Sequence, residues 1–160
     1  KLIGSKSCIR GGFKCVCFSE APISKLGYIL AHKNAQGMKY APYGVMFDKE
    51  FLFELGARPV IYQSDSEYKQ LTAQNQYRHV RYEPTKGIDW TWEREWRYQV
   101  DELELHPDEV TLIVPTRDWV DWLKDEHNKS NRMYNLLGDA GQLGITPLPW
   151  HFIVLEDLGF

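Results

Sequence analysis

Short apolar runs bounded by glycine, proline and polar residues recur along the chain and predict β-strands. Five of them are rich in valine, isoleucine and aromatic residues, as buried strands are, and they cover residues 14–18, 43–47, 59–62, 110–114 and 151–155. A sixth segment, residues 78–82, alternates between polar and apolar positions and also predicts a strand. Polar, glycine-containing or proline-containing stretches predict loops or turns at residues 1–12, 33–42 and 85–89.

Helical spacing and capping residues predict four or five helices between these strands. A helix over residues 23–32 follows the start signal Ser19-Glu-Ala-Pro22, and another over residues 49–55 has Asp48 as its N-cap and Gly56 as its end. Further helices are expected over residues 64–74, from Thr116 onward with Trp119, Val120 and Leu123 on one side, and over residues 131–137 before Gly138. Strands and helices alternate without a steady βαβ rhythm, so an α+β fold is favoured over a doubly wound sheet.

Composition restricts the class of protein. The chain has 160 residues, of which 43% are hydrophobic and 26% charged, with a formal net charge of −3. These values predict one folded domain over residues 1–160 and exclude a largely disordered chain and a generally basic nucleic-acid binder. Neither a membrane-spanning run nor a secretory leader is apparent, so we expect a cytoplasmic protein without a membrane partner.

The three cysteines, Cys8, Cys15 and Cys17, all fall within the first 17 residues. Cys15 and Cys17 would share one face of a strand, which is poor geometry for a disulfide. They also lack the spaced partners of a zinc site. We therefore expect reduced cysteines that are small core residues, and no metal.

Residues 90–99, Trp-Thr-Trp-Glu-Arg-Glu-Trp-Arg-Tyr-Gln, alternate strictly and predict a strand with two different faces. One face carries aromatic residues; the other carries Glu93, Glu95 and Arg97. Two neighbouring carboxylates repel each other, which raises the pKa of one of them or requires a cation beside it. Two interpretations fit the pattern: a solvated polar face, or a cleft in which Glu95 is a catalytic carboxylate. Dinucleotide-binding, P-loop and zinc-protease signatures are missing from the sequence.

The order of three segments resembles bacterial ADP-ribosyltransferases, in particular the nucleic-acid-modifying toxins of toxin–antitoxin systems, and the related AbiG-type abortive-infection proteins. The segments are Cys15-Val-Cys-Phe-Ser-Glu-Ala-Pro22, Tyr43-Gly-Val-Met-Phe-Asp48, and Glu93-Arg-Glu-Trp-Arg97 followed by the apolar run at residues 110–114. The resemblance covers most of the chain, although each motif is short. It implies a single α+β domain with a split, mixed or antiparallel β core flanked by short helices.

The resemblance also implies a reaction and its residues. NAD would be the substrate and Glu95 the catalytic residue, because in this family a glutamate on a late strand supports cleavage of the bond between nicotinamide and ribose. Glu93 would help to orient the acceptor, a nucleic acid or a protein. Phe18 or Tyr43 would stack on nicotinamide and Ser19 would hydrogen-bond NAD, although packing for the aromatic residues and helix capping for Ser19 explain them equally well.

One departure from the family concerns the first strand, which usually supplies an arginine or histidine that grips the dinucleotide. Arg10 is the one arginine before Cys15. Either the chain lacks an N-terminal strand, or Arg10 takes that role, or the fold is kept without the activity.

Local charge suggests two further surfaces. Residues 69–97 contain six basic and four acidic side chains. Within this segment, Arg78, Arg81 and Tyr82 are candidates for binding single-stranded nucleic acid. An ordinary solvated hairpin explains the same composition. Acidic residues at 101–104 and 108–109 would repel phosphates or receive a basic partner such as an antitoxin or inhibitor. The alternatives to a transferase are therefore a non-catalytic nucleic-acid-binding or regulatory module of a defence system, and a metal-independent nuclease using Glu93, Glu95 and Arg97.

Overall fold

The computed structural model describes residues 1–25, 27, 33–34, 37–38, 41–137 and 146–160. The chain divides into two compact units, and each unit is assembled from two separate stretches of sequence. The first unit comprises Lys1–Leu26 and Asp48–Leu105, and the second comprises Gly27–Phe47 and His106–Phe160. Their elements are described in turn.

The described residues form the following strands, in chain order: β1 (Leu2–Ile3), β2 (Val16–Ser19), β3 (Lys33–Asn34), β4 (Gly37–Met38), β5 (Gly44–Phe47), β6 (Arg58–Pro59), β7 (Ile61–Gln63), β8 (His79–Arg81), β9 (Glu95–Tyr98), β10 (Glu102–Leu103), β11 (Val110–Val114) and β12 (His151–Val154). The α-helices among these residues are α1 (Lys49–Leu55) and α2 (Arg117–Leu137). Short 3-10 helices cover Ile23–Lys25, Asp65–Gln70, Ala73–Arg78, Pro84–Lys86, Thr91–Glu93 and Leu155–Leu158.

The first unit contains three small sheets. Its central sheet has the order β2-β9-β6, with both pairs antiparallel. β1 pairs antiparallel with β10, and β7 pairs parallel with β8. Ile9, Cys15 and Tyr77 form a buried cluster against which Phe13 packs. The sheets are therefore held together mainly by residues that are far apart in sequence.

The second unit is organised around β11, which lies between β12 and β5. β11 runs parallel to β12 and antiparallel to β5. Val110 and Val114 at the two ends of β11 are buried, as is Leu155 directly after β12. Antiparallel and mixed sheets with few helices confirm the α+β class that the sequence predicts.

Local signals at α1 are confirmed in detail. The Asp48 side chain accepts a hydrogen bond from the Phe51 backbone N–H at 3.0 Å. Gly56 ends the helix with φ of 111°, a left-handed conformation that glycine adopts without the strain a Cβ would cause. The apolar runs at β5, β11 and β12 are confirmed as strands within a residue of their expected ends.

Several other predictions need correction. β1 lies in the segment expected to be a loop, and β3 and β4 pair with each other within the expected loop at residues 33–42. The helix expected at residues 64–74 is replaced by two 3-10 helices, because extended backbone at Leu71 and Thr72 separates them. The two helices expected after Thr116 are one continuous helix, α2, which contains no glycine or proline to interrupt it.

Two further segments differ in smaller ways. The strand expected at residues 59–62 is divided into β6 and β7 at Val60, whose N–H donates instead to the Glu95 carbonyl at 3.0 Å. Ile23–Lys25 is a 3-10 helix at the start of the expected helix over residues 23–32. Most of the remainder of that segment, and Gly138, lie outside the described residues. Among the helices of the described residues, none has the length and apolar character needed to cross a membrane.

We expect Asp48→Ala to lower the free energy of unfolding by about 1 kcal/mol, because the first turn of α1 loses its side-chain acceptor. Asp48→Asn keeps an acceptor oxygen and serves as the control, with a loss of only a few tenths of that value. Urea unfolding monitored by circular dichroism measures both. Equal stability of Asp48→Ala and the wild type would contradict a stabilising cap.

Candidate active site

Pairing between β2 and β9 brings two of the candidate residues together. Ser19 lies directly opposite Glu95 in this antiparallel ladder, and Cys17 lies opposite Arg97. Side chains of directly opposed residues project from the same face of a sheet. Ser19, Cys17, Glu95 and Arg97 therefore share one face, which we call the Glu95 face.

The segment before β9 is not the continuous strand that the alternation predicts. Thr91–Glu93 is a 3-10 helix, and β9 begins only at Glu95. The Asp89 carboxylate accepts hydrogen bonds from the Thr91 N–H and hydroxyl, at 2.9 and 2.6 Å, and this Asx-type turn starts the helix. Arg94 ends it in the left-handed region, with φ of 46°, an uncommon conformation for a residue with a Cβ. Glu93 therefore does not alternate with Glu95 along one strand.

Glu93 nevertheless lies next to Ser19 through its backbone. The Ser19 hydroxyl donates to the Glu93 carbonyl at 2.6 Å and accepts from the Ala21 N–H at 3.2 Å. The second bond forms a local turn and not the predicted helix cap, because the 3-10 helix begins only at Ile23. The first holds the turn before β9 against the end of β2.

An ion pair within β9 defines the Glu95 face. The Arg97 guanidinium donates to both carboxylate oxygens of Glu95, with Nε to Oε1 at 2.8 Å and a second contact at 3.3 Å. The side chains are only 4% and 14% exposed for Arg97 and Glu95 respectively. Arg97 also donates to the carbonyls of Tyr77 and His79, at 2.7 and 3.0 Å. The carboxylate is thus held in one orientation by a cation that is itself fixed to the backbone.

Tyr62 supports Glu95 from β7 and was not singled out from the sequence. Its hydroxyl donates to the Trp90 carbonyl and accepts from the Glu95 N–H, both at 3.2 Å. Burial raises the pKa of the Tyr62 hydroxyl above its usual range. A neutral phenol can fill both roles, but no sequence motif indicates that this tyrosine spans the turn before β9.

Cys17 contacts the same carboxylate. Although part of the residue remains accessible to solvent, burial of the thiol raises its pKa to about 12, and the negative charge of Glu95 and a hydrogen bond to it act in the same direction. Cys15 is buried, and burial also raises the pKa of its thiol. All three cysteines are free thiols, as expected, but Cys8 and Cys17 are exposed, so of the three only Cys15 has the expected core position.

The opposite face of β9 carries a different cluster. Glu20 accepts hydrogen bonds from the Trp96 indole at 2.9 Å, from Lys49 at 3.2 Å and from Arg94 at 3.1 Å. The hydrogen bonds from Trp96 and Lys49 hold the pKa of the Glu20 carboxyl below its usual range. A groove of about 340 Å³ adjoins this cluster, and Trp96 and four residues of α1 line it: Lys49, Glu50, Phe53 and Glu54.

The two aromatic candidates, Phe18 and Tyr43, belong to different units. Phe18 lies opposite Trp96 in the ladder, so its ring projects from the other side of the sheet. Tyr43 belongs to the second unit, where its ring contacts that of Trp119 edge-to-face with centroids 5.1 Å apart. Stacking of either ring on nicotinamide stays a prediction.

The arginines proposed for nucleic-acid binding are used within the first unit. Arg78 donates to the Pro59 carbonyl at 2.9 Å and to Asn75, and Arg81 pairs with Glu83. Tyr82 is partly buried and its N–H donates to Gln63 at 2.8 Å. A nucleic-acid surface at Arg78, Arg81 and Tyr82 also stays a prediction, and it would have to compete with these contacts.

Arg10, the candidate for gripping the dinucleotide, is also engaged. Its guanidinium pairs with the Asp65 carboxylate and lies over the Tyr68 ring, 4.1 Å from the centroid. Within the described residues, no three His, Cys, Asp or Glu side chains are grouped closely enough to hold a metal ion.

Comparison with known proteins finds no match to the chain among protein-family models, curated proteins or solved structures.

We expect Glu95→Ala to lower the free energy of unfolding by about 3–5 kcal/mol, because it leaves the buried Arg97 guanidinium without a counter-charge. The double variant Glu95→Leu with Arg97→Met removes both charges and should recover most of this loss. Urea unfolding of Glu95→Leu, Arg97→Met and the double variant, each compared with the wild type, completes the thermodynamic cycle. Additive losses in the double variant would show that the two side chains do not interact.

We expect the Cys17 thiol to react with iodoacetamide at pH 8 at least about tenfold more slowly than the cysteine thiol of a short unstructured peptide. The reason is that its raised pKa leaves little thiolate. Glu95→Gln should accelerate the reaction, since it removes the negative charge that favours the protonated thiol. Cys8→Ser serves as the background for both measurements, because Cys8 is exposed. Peptide mass spectrometry locates the label, and an unchanged rate in Glu95→Gln would argue against the contact.

Proposed function

We propose that the chain is an NAD-dependent ADP-ribosyltransferase that modifies a nucleic-acid or protein acceptor and acts as a bacterial toxin or phage-defence effector. The observation that carries this proposal is the placement of Glu95. Arg97 holds the Glu95 carboxylate on the Glu95 face. Ser19 lies on the same face, directly across from Glu95 in the ladder between β2 and β9. The resemblance of the three sequence segments supplies the reaction class.

The reaction needs a negative charge in a fixed position beside a ribose. When the bond between C1′ and the nicotinamide nitrogen breaks, its electron pair leaves with nicotinamide and the sugar becomes an oxocarbenium-like cation. A carboxylate that accepts a hydrogen bond from the ribose 2′-hydroxyl stabilises that charge as it develops. The acceptor then forms a bond to C1′ and loses its proton.

The hydrogen bonds of Glu95 leave capacity for this role. A carboxylate has about four lone-pair sites, of which Arg97 occupies two, and the Cys17 thiol lies beside the same carboxylate. A remaining site can accept a sugar hydroxyl. Because Arg97 is anchored to two carbonyls, the carboxylate does not need to reorient as charge develops, and such preorganisation is the main source of electrostatic catalysis.

Ser19 and Glu93 provide the supporting contacts. The Ser19 hydroxyl hydrogen-bonds both the Glu93 carbonyl and the Ala21 N–H. These bonds connect the end of β2 to the turn before β9. In this proposal Ser19 hydrogen-bonds NAD, and Glu93 orients the acceptor from the turn. A role for Phe18 or Tyr43 at the nicotinamide ring is not part of this proposal, because the Phe18 ring projects from the other side of the sheet and Tyr43 belongs to the second unit.

We expect Glu95→Gln to reduce nicotinamide release from NAD by at least about a hundredfold, because the amide keeps the shape but loses the charge. Glu93→Gln should retain NAD cleavage and lose transfer to the acceptor. Glu104→Gln, at an exposed position, is the matched control and should behave as the wild type. Labelled NAD incubated with the purified chain and cellular nucleic acid or protein measures both products.

Melting curves separate chemistry from stability in this experiment. If Glu95→Gln does not fold, Ser19→Ala provides the second test and should weaken NAD cleavage while leaving the Glu95–Arg97 pair in place. NAD cleavage that is equal in Glu95→Gln and the wild type would overturn the role of Glu95. Lack of NAD turnover by the wild type with every acceptor fraction would overturn the proposed activity, and RNA degradation without NAD would identify a nuclease.

A further inference from the structure

Three aromatic rings form a line on the surface of the second unit. The Tyr43 ring contacts Trp119 edge-to-face at 5.1 Å between centroids, and Trp119 contacts Trp122 in the same manner at 5.5 Å. All three remain unusually exposed: 49% for Tyr43, 39% for Trp119 and 52% for Trp122. Contiguous exposed apolar surface of this kind marks interaction sites, and Trp and Tyr are the residue types that dominate binding energy at them.

Acidic residues accompany these rings on α2. Residues spaced by three, four or seven positions lie on the same side of a helix, so Asp118, Trp122 and Asp125 share one side, with Trp119 beside them. Asp118 and Asp125 are both exposed. We call Tyr43, Trp119, Trp122, Asp118 and Asp125 together the tryptophan face.

Carboxylates outnumber cations at the N-terminal end of α2, where Trp119 and Trp122 lie. Residues 117–126 contain four acidic and two basic side chains. The two basic ones are already paired, because Arg117 contacts Asp157 at 3.0 Å and Lys124 contacts Asp121 at 3.7 Å. The face therefore presents electron-rich indole rings beside carboxylates. The next cations on the same side of α2, Lys129 and Arg132, lie one and two turns beyond Asp125, and Lys129 already pairs with Glu126 at 2.6 Å.

We propose that the tryptophan face binds a basic segment of a partner protein. Arginine and lysine side chains are attracted to the faces of indole rings, and the planar guanidinium of arginine can stack on a ring while pairing with a neighbouring carboxylate. Asp118 and Asp125 are placed to receive such charges beside Trp122. A nucleic acid would meet the same rings but would be repelled by the carboxylates, so charge complementarity favours the basic peptide.

The acidic segment predicted at residues 101–104 is a weaker candidate for the same partner. Two of its carboxylates already pair with lysines of the first unit: Asp101 with Lys14 at 3.0 Å and Glu102 with Lys1 at 2.7 Å. It also lacks a comparable group of exposed aromatic rings among the described residues. Of these two acidic segments, α2 is the one that combines carboxylates with a group of exposed aromatic rings in contact with one another.

A short peptide of alternating arginine and leucine tests the proposal, with its glutamate–leucine counterpart as the control probe. We expect the basic peptide to change tryptophan fluorescence on binding and to bind more weakly as salt is raised. Trp122→Ala should weaken binding at least about tenfold, as loss of an aromatic interface anchor does. Asp118→Asn combined with Asp125→Asn should weaken it similarly. Glu50→Gln combined with Glu54→Gln, at two exposed positions on α1, is the matched acidic control and should leave binding within about twofold.

Several outcomes would overturn the proposal. These are no binding of the basic peptide, equal binding of the acidic one, or unchanged affinity in Trp122→Ala. Tight binding of a single-stranded oligonucleotide to the same residues would assign the face to nucleic acid instead. Sedimentation showing self-association that Trp122→Ala abolishes would assign it to a second copy of the chain. Trp122 is more than half exposed, so its replacement leaves the core intact and the fold can be checked by circular dichroism.

Discussion

Burial of the Arg97 guanidinium is the constraint on which the centre of the first unit depends. A guanidinium cannot lose its protons and is costly to bury, so it must be given acceptors on every side. Glu95 supplies two, and the carbonyls of Tyr77 and His79 supply others. In meeting this need, the protein ties β9 to the 3-10 helix Ala73–Arg78 and to the start of β8. Arg97 and its hydrogen bonds thus connect β9 to neighbouring elements of the first unit, in addition to the apolar contacts.

The same constraint links stability to the proposed chemistry. An acidic side chain that must counter a buried cation has little freedom to turn, and a catalytic carboxylate benefits from that restriction. The two sides of β9 carry different sets of polar contacts. On one side lie Glu95 and Arg97, and on the other Trp96 binds Glu20, which Lys49 connects to α1. A four-residue strand therefore joins the candidate site to the rest of its unit.

Sequence reasoning succeeded where the determining signal is local. Asp48 and Gly56 define α1 because a cap and a left-handed glycine act over a single turn, and the apolar run at β11 is unambiguous. It failed at β1, where two residues become a strand only through pairing with β10, about a hundred positions away. For the candidate site, the Glu95–Arg97 proximity followed from alternation, whereas the turn at Asp89 and Thr91 and the bridging Tyr62 did not. An Asx turn competes with a strand over a few residues, and alternation alone cannot show which one is formed.

The interleaved order of the two units bears on how the chain is made. Every residue of the first unit lies before His106, so its sheets can close while the ribosome is still adding the remainder. β5 is translated early but must wait for β11, its neighbour in the ladder. During that interval the apolar side chains of Val45 and Phe47 lack the neighbouring strand that they have in the folded chain.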